Sequence, residues 1–118
     1  MQYMIMTYED QAAFDARTDA QASQSYWGSW AAYTQTLKES GVMVGGSGLQ
    51  PPHAGTTVRF RDGQRHIQDG PYAETKEQLG GYFLIEVSDL DTALDWAVRC
   101  PAAAAGVVEV RPVLVMQS

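Results

Sequence analysis

Four extended apolar runs, separated by two helical patterns, constrain the fold of this chain more than any other feature of its sequence. The runs cover residues 2–8, 42–49, 80–87 and 107–116, and they contain the apolar, β-branched and aromatic residues typical of strands. One helical pattern follows the first run, and the other follows the third. The resulting order of strand, helix, strand, strand, helix, strand predicts an α+β fold with the split β-α-β arrangement of ferredoxin-like proteins.

Both helices are predicted from the spacing of their apolar side chains. Large side chains recur at i, i+4, i+7 and i+11 from Tyr26 to Leu37, which predicts a helix over residues 23–40 that stops before Gly41. Ser88 or Asp89 is the predicted N-cap of the second helix. The predicted apolar face of that helix contains Leu90, Ala93, Leu94, Ala97 and Val98, and Pro101 ends it.

A β-hairpin is predicted between the second and third main strands. Asp62-Gly63 lies between the extended runs Thr57–Phe60 and Arg65–Gln68, and Asp-Gly in that position is a strong hairpin signal. Because the hairpin interrupts the order of the main strands, we expect an insertion and not a pair of core strands.

The predicted sheet has an apolar face that its own helices do not cover. Right-handed crossovers place both helices on one side, yet Met4 and Met6 oppose Tyr3 and Ile5 along the first strand. An exposed apolar face of that size implies a partner. A second copy, packed sheet against sheet about a two-fold axis, predicts a homodimer.

Length and charge limit the classes of partner. The chain has 118 residues, which predicts a single domain over residues 1–118. Its net charge of −6 disfavours nucleic acid and anionic membranes. Without a membrane-spanning run or a signal peptide, and with Cys100 as its one cysteine, the chain is predicted to be cytoplasmic. Cys100 itself is predicted to be a buried small side chain.

One segment carries a family resemblance. The stretch "DGPYAETKEQLGGYFLIEV", residues 69–87, resembles the DGPF branch of the YCII-related family, with Tyr72 in place of the signature phenylalanine. The resemblance continues through "MQYMIMTYED", "GVMVGGSGLQPP", "DLDTALDWAVRCP" and "VEVRPV". It implies a dimeric α+β barrel built from ferredoxin-like subunits. It does not imply a known reaction.

Relatives in the wider superfamily include muconolactone isomerase-like enzymes, and the resemblance implies a His-Asp pair suited to acid/base chemistry. Asp69 matches the signature aspartate, although an aspartate before Gly70 also suits a tight turn. The sequence leaves open whether His53, His66 or neither pairs with it.

The "ETKE" motif has two interpretations. Glu74, Lys76 and Glu77 can form ion pairs on the surface, worth about 0–1 kcal/mol each. Since the motif is part of the family signature, they can instead edge a pocket, where Lys76 holds a carboxylate or enolate oxygen and Glu74 or Glu77 moves a proton. With Asp69, these are the predicted catalytic residues.

The predicted substrate-binding residues are Trp27, Trp30, Tyr82 and His53. Helical spacing also allows Trp27 and Trp30 to be core residues. No metal site is predicted, because the two histidines lie thirteen residues apart without a ligand motif. No cofactor is predicted either, since a strand, not a helix, follows Gly80-Gly81.

Together these features predict a homodimer with a pocket for a small organic molecule and cofactor-free acid/base chemistry, such as isomerisation or hydrolysis. The alternative is a ligand-sensing or protein-binding accessory module, since the chain is similar to proteins often encoded beside sigma factors. A scaffold without a small ligand is a third reading.

Overall fold

The structure, a computed structural model, describes residues 1–116. Its strands are β1 (Gln2–Glu9), β2 (Met43–Gly48), β3 (Thr56–Arg61), β4 (Gln64–Asp69), β5 (Gln78–Glu86) and β6 (Val107–Pro112). Its helices are α1 (Gln11–Ala16), α2 (Ser23–Glu39), α3 (Leu90–Val98) and α4 (Pro101–Ala105), and a 3-10 turn covers Pro52–Ala54.

The main sheet has the order β2-β5-β1-β6, and its neighbouring strands are all antiparallel. The third main strand, β5, therefore lies between the first and second, as the split β-α-β arrangement requires. This confirms the predicted α+β class and ferredoxin-like order.

The core lies between this sheet and helices α2 and α3. The sheet contributes four buried side chains to this core: Tyr3 and Ile5 of β1, and Phe83 and Ile85 of β5. The helices contribute Tyr33, Leu37, Ala93 and Ala97. Because α2 and α3 add to the same cluster, they cover the same face of the sheet.

The opposite face of the main sheet carries Met4 and Met6 of β1, which alternate with the buried residues of that strand. Tyr82 pairs with Met6, and Leu84 pairs with Met4 across β5. All four side chains are partly exposed. We call this surface the open face.

The predicted hairpin is present as a separate two-stranded sheet of β3 and β4. Asp62 and Gly63 at its turn both have positive φ, 52° and 72°, which a tight two-residue hairpin turn requires and which asparagine, aspartate and glycine tolerate best. Its apolar side chains Val58, Phe60 and Ile67 are exposed.

Several element predictions differ from the structure. The connection after β1 contains helix α1, which Asp10 caps by accepting a hydrogen bond from the Ala13 amide at 3.0 Å. Helix α3 ends at Val98, before Pro101, and Pro101 is the first residue of helix α4. The last strand ends at Pro112 and not at Met116.

The apolar face of α3 is also narrower than predicted. Ala93 and Ala97 are buried, whereas Leu90, Leu94 and Val98 are at least 45% exposed. Small residues allow α3 to approach the sheet closely, so its larger side chains lie at the edge of the contact. Cys100 is 2% exposed, as predicted, and burial raises the pKa of its thiol to about 11.

Candidate functional site

A cleft of about 640 Å³ lies between α2 and the adjoining parts of β1, β2 and β5. We call it the α2 cleft. Its lining is richer in apolar than in polar surface, as is usual for pockets that bind small organic molecules.

Glycines form the floor of the α2 cleft. Gly48 of β2 pairs with Gly81 of β5, and Gly46 pairs with Phe83. Along β5, Thr7 pairs with Gly81 but Tyr8 pairs with Leu79, so Gly80 is an extra residue in a β-bulge. The missing side chains leave space between the sheet and α2.

The bulge also brings polar groups together. A methyl group at position 80 would lie only 3.1 Å from Glu9 Oε1 and 3.2 Å from an Arg17 terminal nitrogen. Glycine at this position therefore allows Glu9 and Arg17 to lie directly against the strand.

Glu9, Arg17 and Tyr26 form a hydrogen-bonded cluster at one end of the cleft. The Tyr26 hydroxyl donates to Glu9 Oε1 at 2.7 Å, and Arg17 Nε donates to the same hydroxyl at 3.0 Å. Arg17 also lies 3.5 Å from Glu9 Oε1. Both charged side chains are about nine-tenths buried, so each depends on the other for charge compensation.

Arg17 is held by further contacts on every side. Its guanidinium donates to the carbonyl oxygens of Leu49, at 2.5 Å, and of Gly80, at 3.2 Å. It also lies against the rings of Phe14, Tyr26 and Trp27, with distances to the ring centres of 4.9, 5.7 and 5.4 Å. Arg17 thus connects three separate segments and fixes the geometry of the cluster.

The second oxygen of Glu9, Oε2, is not enclosed by protein atoms. Oε2 accepts no hydrogen bond from residues 1–116, yet no side-chain oxygen or nitrogen in this range is both fully buried and unpaired. Oε2 must therefore reach accessible space, and Glu9 lines the cleft. A carboxylate oxygen held in place with one open side can accept a proton or a hydrogen bond from a ligand.

Tyr26 stays protonated in this cluster. Burial, followed by its hydrogen bond to Glu9, raises the pKa of the hydroxyl to about 12. At neutral pH, Tyr26 is therefore a hydrogen-bond donor that stabilises the Glu9 carboxylate.

The α2 side of the cleft carries the predicted tryptophans. Trp27 is 47% exposed, and its indole nitrogen donates to the Arg17 carbonyl at 3.0 Å. Trp30 stacks on Phe83, with ring centres 6.1 Å apart and planes inclined by 16°. The structure therefore places both residues at the cleft, where Trp30 also packs against the core.

The other predicted site residues, apart from Tyr82, do not line the α2 cleft. Tyr82 borders the cleft along β5, but strand alternation directs its side chain to the open face beside Met6. Asp69 is exposed at the end of β4, and His53 is exposed in the 3-10 turn. Neither of these two lines the α2 cleft.

The three residues of the "ETKE" motif are also outside the α2 cleft. Glu74 and Lys76 are exposed, and neither forms an ion pair with a residue of the described range. Glu77 is partly buried and lines a second, smaller cavity of about 420 Å³ that also contains Tyr8 and Tyr72. The predicted convergence of these residues with the tryptophans is not observed within one protomer.

Glu9 and Arg17 are not among the predicted site residues. The signal for Glu9 is its position in β1, since it continues the alternation of the buried residues Tyr3, Ile5 and Thr7. A carboxylate at a position reserved for the core requires a partner. Arg17 has no comparable local signal, because α1 brings it back to the sheet.

Within residues 1–116, no group of three or more histidine, cysteine, aspartate or glutamate side chains is arranged to hold a metal ion. In the same range, none of the helices is both long and apolar enough to span a bilayer.

Comparisons with known proteins agree with this fold. An uncharacterised protein of Rhizobium meliloti (strain 1021), R00369, is 34% identical over 114 residues, which cover 95% of this chain and 91% of that protein. A solved structure of 5-chloro-2-hydroxyhydroquinone dehydrochlorinase (TftG) from Burkholderia phenoliruptrix AC1100, in complex with 2,5-dihydroxybenzoquinone, superimposes with a TM-score of 0.55 at 14% identity. That match covers 97% of this chain and 94% of the dehydrochlorinase.

The model of the YCII-related domain matches residues 1–117. Assignment to the DGPF branch within that family stays a prediction. Over essentially its whole length, the chain belongs to the YCII-related domain family.

Proposed function

We propose that the α2 cleft binds a small cyclic organic molecule and that Glu9 exchanges a proton with it. The observation that carries this proposal is the open Oε2 oxygen of Glu9, in a side chain otherwise buried and fixed through Oε1 by Tyr26 and Arg17. Surface carboxylates lack such fixed geometry, which general acid/base catalysis requires.

The reaction class that suits this arrangement is proton transfer next to a carbonyl group. Glu9 Oε2 takes a proton from the substrate carbon, and the electron pair of that C–H bond moves toward the carbonyl to give an enolate. The same proton then returns to another atom of the substrate, so the isomerisation needs no oxidant, reductant or added group. Tyr26 and Arg17 are positioning residues in this scheme, because they hold the carboxylate through its other oxygen.

The structural neighbour offers one ring compound for a test panel. The dehydrochlorinase with the shared fold was solved with 2,5-dihydroxybenzoquinone, a six-membered ring with two hydroxyl and two carbonyl groups. At 14% identity the likeness concerns the fold, so the choice of ring compounds for this chain rests on its own cleft.

The test is deuterium exchange of C–H groups next to a carbonyl, followed by NMR in D2O on a panel of hydroxyquinones and unsaturated lactones. Wild-type protein should accelerate exchange in the compounds that it binds. Glu9→Gln should abolish exchange while binding persists, because the amide keeps the shape of the carboxyl group. Glu39→Gln, at an exposed position near the end of α2, is the matched control.

A second variant tests the location of the site without altering the Glu9 cluster. A methyl group at Gly48 would meet no atom within 4 Å, so Gly48→Leu should fold and fill the α2 cleft. Loss of binding in Gly48→Leu supports the cleft as the site. Binding that survives this substitution, exchange that survives Glu9→Gln, or a panel without a single bound compound would each contradict the proposal.

The predicted homodimer is also a proposal. The open face carries the partly exposed side chains of Met4, Met6, Tyr82 and Leu84, together with the ion pair between Arg111 Nε and Glu109 Oε2 at 2.8 Å. A second copy packed on this face would bury them. Leu84→Glu should give a monomer in analytical ultracentrifugation, whereas Val98→Glu, at a 74% exposed position on α3, should not.

One observation favours the accessory-module alternative. The hairpin exposes Val58 by 61%, Phe60 by 74% and Ile67 by 56%, and paired residues such as Val58 and Ile67 lie on the same face of β3 and β4. Such a stripe suits a protein partner. Site-specific photocrosslinking in cells from position 60, with position 98 as the control, should give a defined product if this reading is correct.

Two further predictions come from composition alone. The protein is predicted to be cytoplasmic, and it is predicted to have no nucleic-acid or membrane partner.

A further inference from the structure

The lining of the α2 cleft contains a charged residue that has no role in the proposed proton transfer. The residues of this lining that are charged at neutral pH are Glu9, Arg17 and Lys38. Glu9 and Arg17 compensate each other. Lys38 is an exposed residue of the lining and forms no ion pair with any residue of the described range. Its ammonium group is therefore available to bind an anion, in a chain whose net charge is −6.

The position of Lys38 along α2 defines the shape of the ligand. Trp27, Ala31, Thr34 and Lys38 all line the cleft, and their spacing places them on one stripe of the helix. Ala31 and Thr34 are small, so the stripe has an aromatic end, a shallow middle and a cationic end. Gly46 and Gly48 lie opposite in the floor.

The length of this stripe excludes a compact ligand from contact with both ends. From Trp27 to Lys38 the helix advances by about 16.5 Å, at about 1.5 Å per residue. The flexible lysine side chain shortens the distance to be bridged but does not close it. A single ring at the Glu9 end therefore leaves Lys38 without a partner.

We propose that the ligand of the α2 cleft is an elongated aromatic carboxylate, longer than benzoate. Its carboxylate binds the Lys38 ammonium, and its chain lies over Ala31 and Thr34. Its ring lies against Trp27 with a hydroxyl or carbonyl substituent beside Glu9 Oε2. This inference rests on the proposed function, because it names the substrate class of the same cleft.

The test uses a chain-length series: 4-hydroxybenzoate, 4-hydroxyphenylacetate, 3-(4-hydroxyphenyl)propanoate and 4-(4-hydroxyphenyl)butanoate, each with its methyl ester. Binding is measured by calorimetry and by quenching of the tryptophan fluorescence. In the wild type, affinity should rise along the series. The acid should bind the longer members at least about tenfold more tightly than the ester, since a charge-assisted hydrogen bond contributes that much.

Substitutions at Lys38 test the carboxylate contact. Lys38→Met should reduce the preference for acid over ester to about one, while the ester affinity stays the same; a tenfold change corresponds to about 1.4 kcal/mol. Lys38→Arg should retain the preference. Arg65→Met is the matched control, because Arg65 is an exposed cationic residue of β4 outside the cleft. An acid preference that persists in Lys38→Met, a benzoate that binds as well as the longer acids, or a wild type that binds no member would overturn the inference.

The Gly48→Leu variant distinguishes an error in the proposed ligand class from an error in the proposed function. If ring compounds bind the wild type but not Gly48→Leu, and Lys38→Met changes nothing, the cleft is the site and the aromatic carboxylate is wrong. If Gly48→Leu binds them as the wild type does, the cleft is not the site and both proposals fail.

Discussion

The α2 cleft and the hairpin region differ in how they display their chemistry. We define the hairpin region as residues 56–77, which carry the signature "DGPYAETKE" and many charged side chains in a short stretch. In the structure, those side chains are mostly exposed. The cleft cluster is assembled from single residues on β1, after α1 and on α2, and its two charged side chains are about nine-tenths buried. Ionisable residues that are dense along the sequence need not converge in space, whereas a few distant ones can.

The largest expected effect tests this difference in burial directly. Arg17→Met should destabilise the protein by about 3–5 kcal/mol, because it leaves the buried carboxylate of Glu9 without its positive partner. Arg65→Met in the exposed strand β4 should change stability by less than about 0.5 kcal/mol. Urea unfolding of both variants measures the contrast. Equal effects of the two substitutions would show that burial does not distinguish the regions.

A pair of glycines tests the packing of the cleft floor. Gly80→Ala should cost about 1–3 kcal/mol, since its methyl group would press on Glu9, Arg17 and Phe14 at 3.1–3.2 Å. Gly48 lies in the same floor, but a methyl group there would meet no atom within 4 Å. Gly48→Ala should therefore leave the free energy of unfolding almost unchanged. Thermal unfolding of the two variants is the measurement, and a neutral Gly80→Ala would mean that the cluster adjusts freely.

The next effect depends on pH. Tyr26→Phe should cost about 1 kcal/mol near neutral pH through its lost hydrogen bonds. Because burial and Glu9 raise the pKa of Tyr26 to about 12 in the folded protein, above the value near 10 of an unfolded chain, the native state holds this proton more tightly. Its contribution is therefore complete below pH 10 and is lost as the pH rises toward 12.

The stability difference between wild type and Tyr26→Phe should accordingly shrink between pH 9 and pH 11.5 in urea titrations. Tyr33 and Cys100, whose pKa values are also raised by burial, are present in both proteins and cancel in the comparison. A difference that stays constant, or grows, would contradict the assignment of the raised pKa to Tyr26.

The sequence predicts the sheet better than the cleft for a physical reason. Strand order and the hairpin follow from local patterns, such as apolar runs and Asp62-Gly63, which depend on neighbouring residues. The short helix α1 has a local signal too, in the Asp10 cap, but it buries only one of its residues, Phe14, and so lacks an apolar repeat. The predicted α3 face is too wide, because helical spacing does not reveal that small alanines make the closest contact.

The site depends on contacts that no local pattern encodes. Glu9 and Arg17 are eight residues apart, and Gly80 is more than sixty residues beyond them. Trp27 and Trp30 line the cleft, as aromatic residues at helical spacing must pack against a neighbouring surface, and their role in substrate binding stays a prediction. Tyr82 is predicted to bind substrate, yet its alternation with Phe83 along β5 directs its side chain to the open face.

The smallest expected effect concerns Asp69, whose catalytic role stays a prediction. Asp69 lies at the exposed end of β4, opposite Thr56, so Asp69→Asn should change the free energy of unfolding by less than about 0.5 kcal/mol. If the α2 cleft within one protomer is the whole site, this variant should also leave deuterium exchange at the wild-type rate, whereas Glu9→Gln abolishes it. The two variants are isosteric carboxyl-to-amide changes, so the comparison isolates position. Loss of exchange in Asp69→Asn at unchanged stability would mean that the hairpin reaches a site formed with a second copy. In that case Leu84→Glu, which removes the proposed dimer contact, should reproduce the loss, and the separation of cleft from hairpin would hold for the protomer but not for the assembled protein.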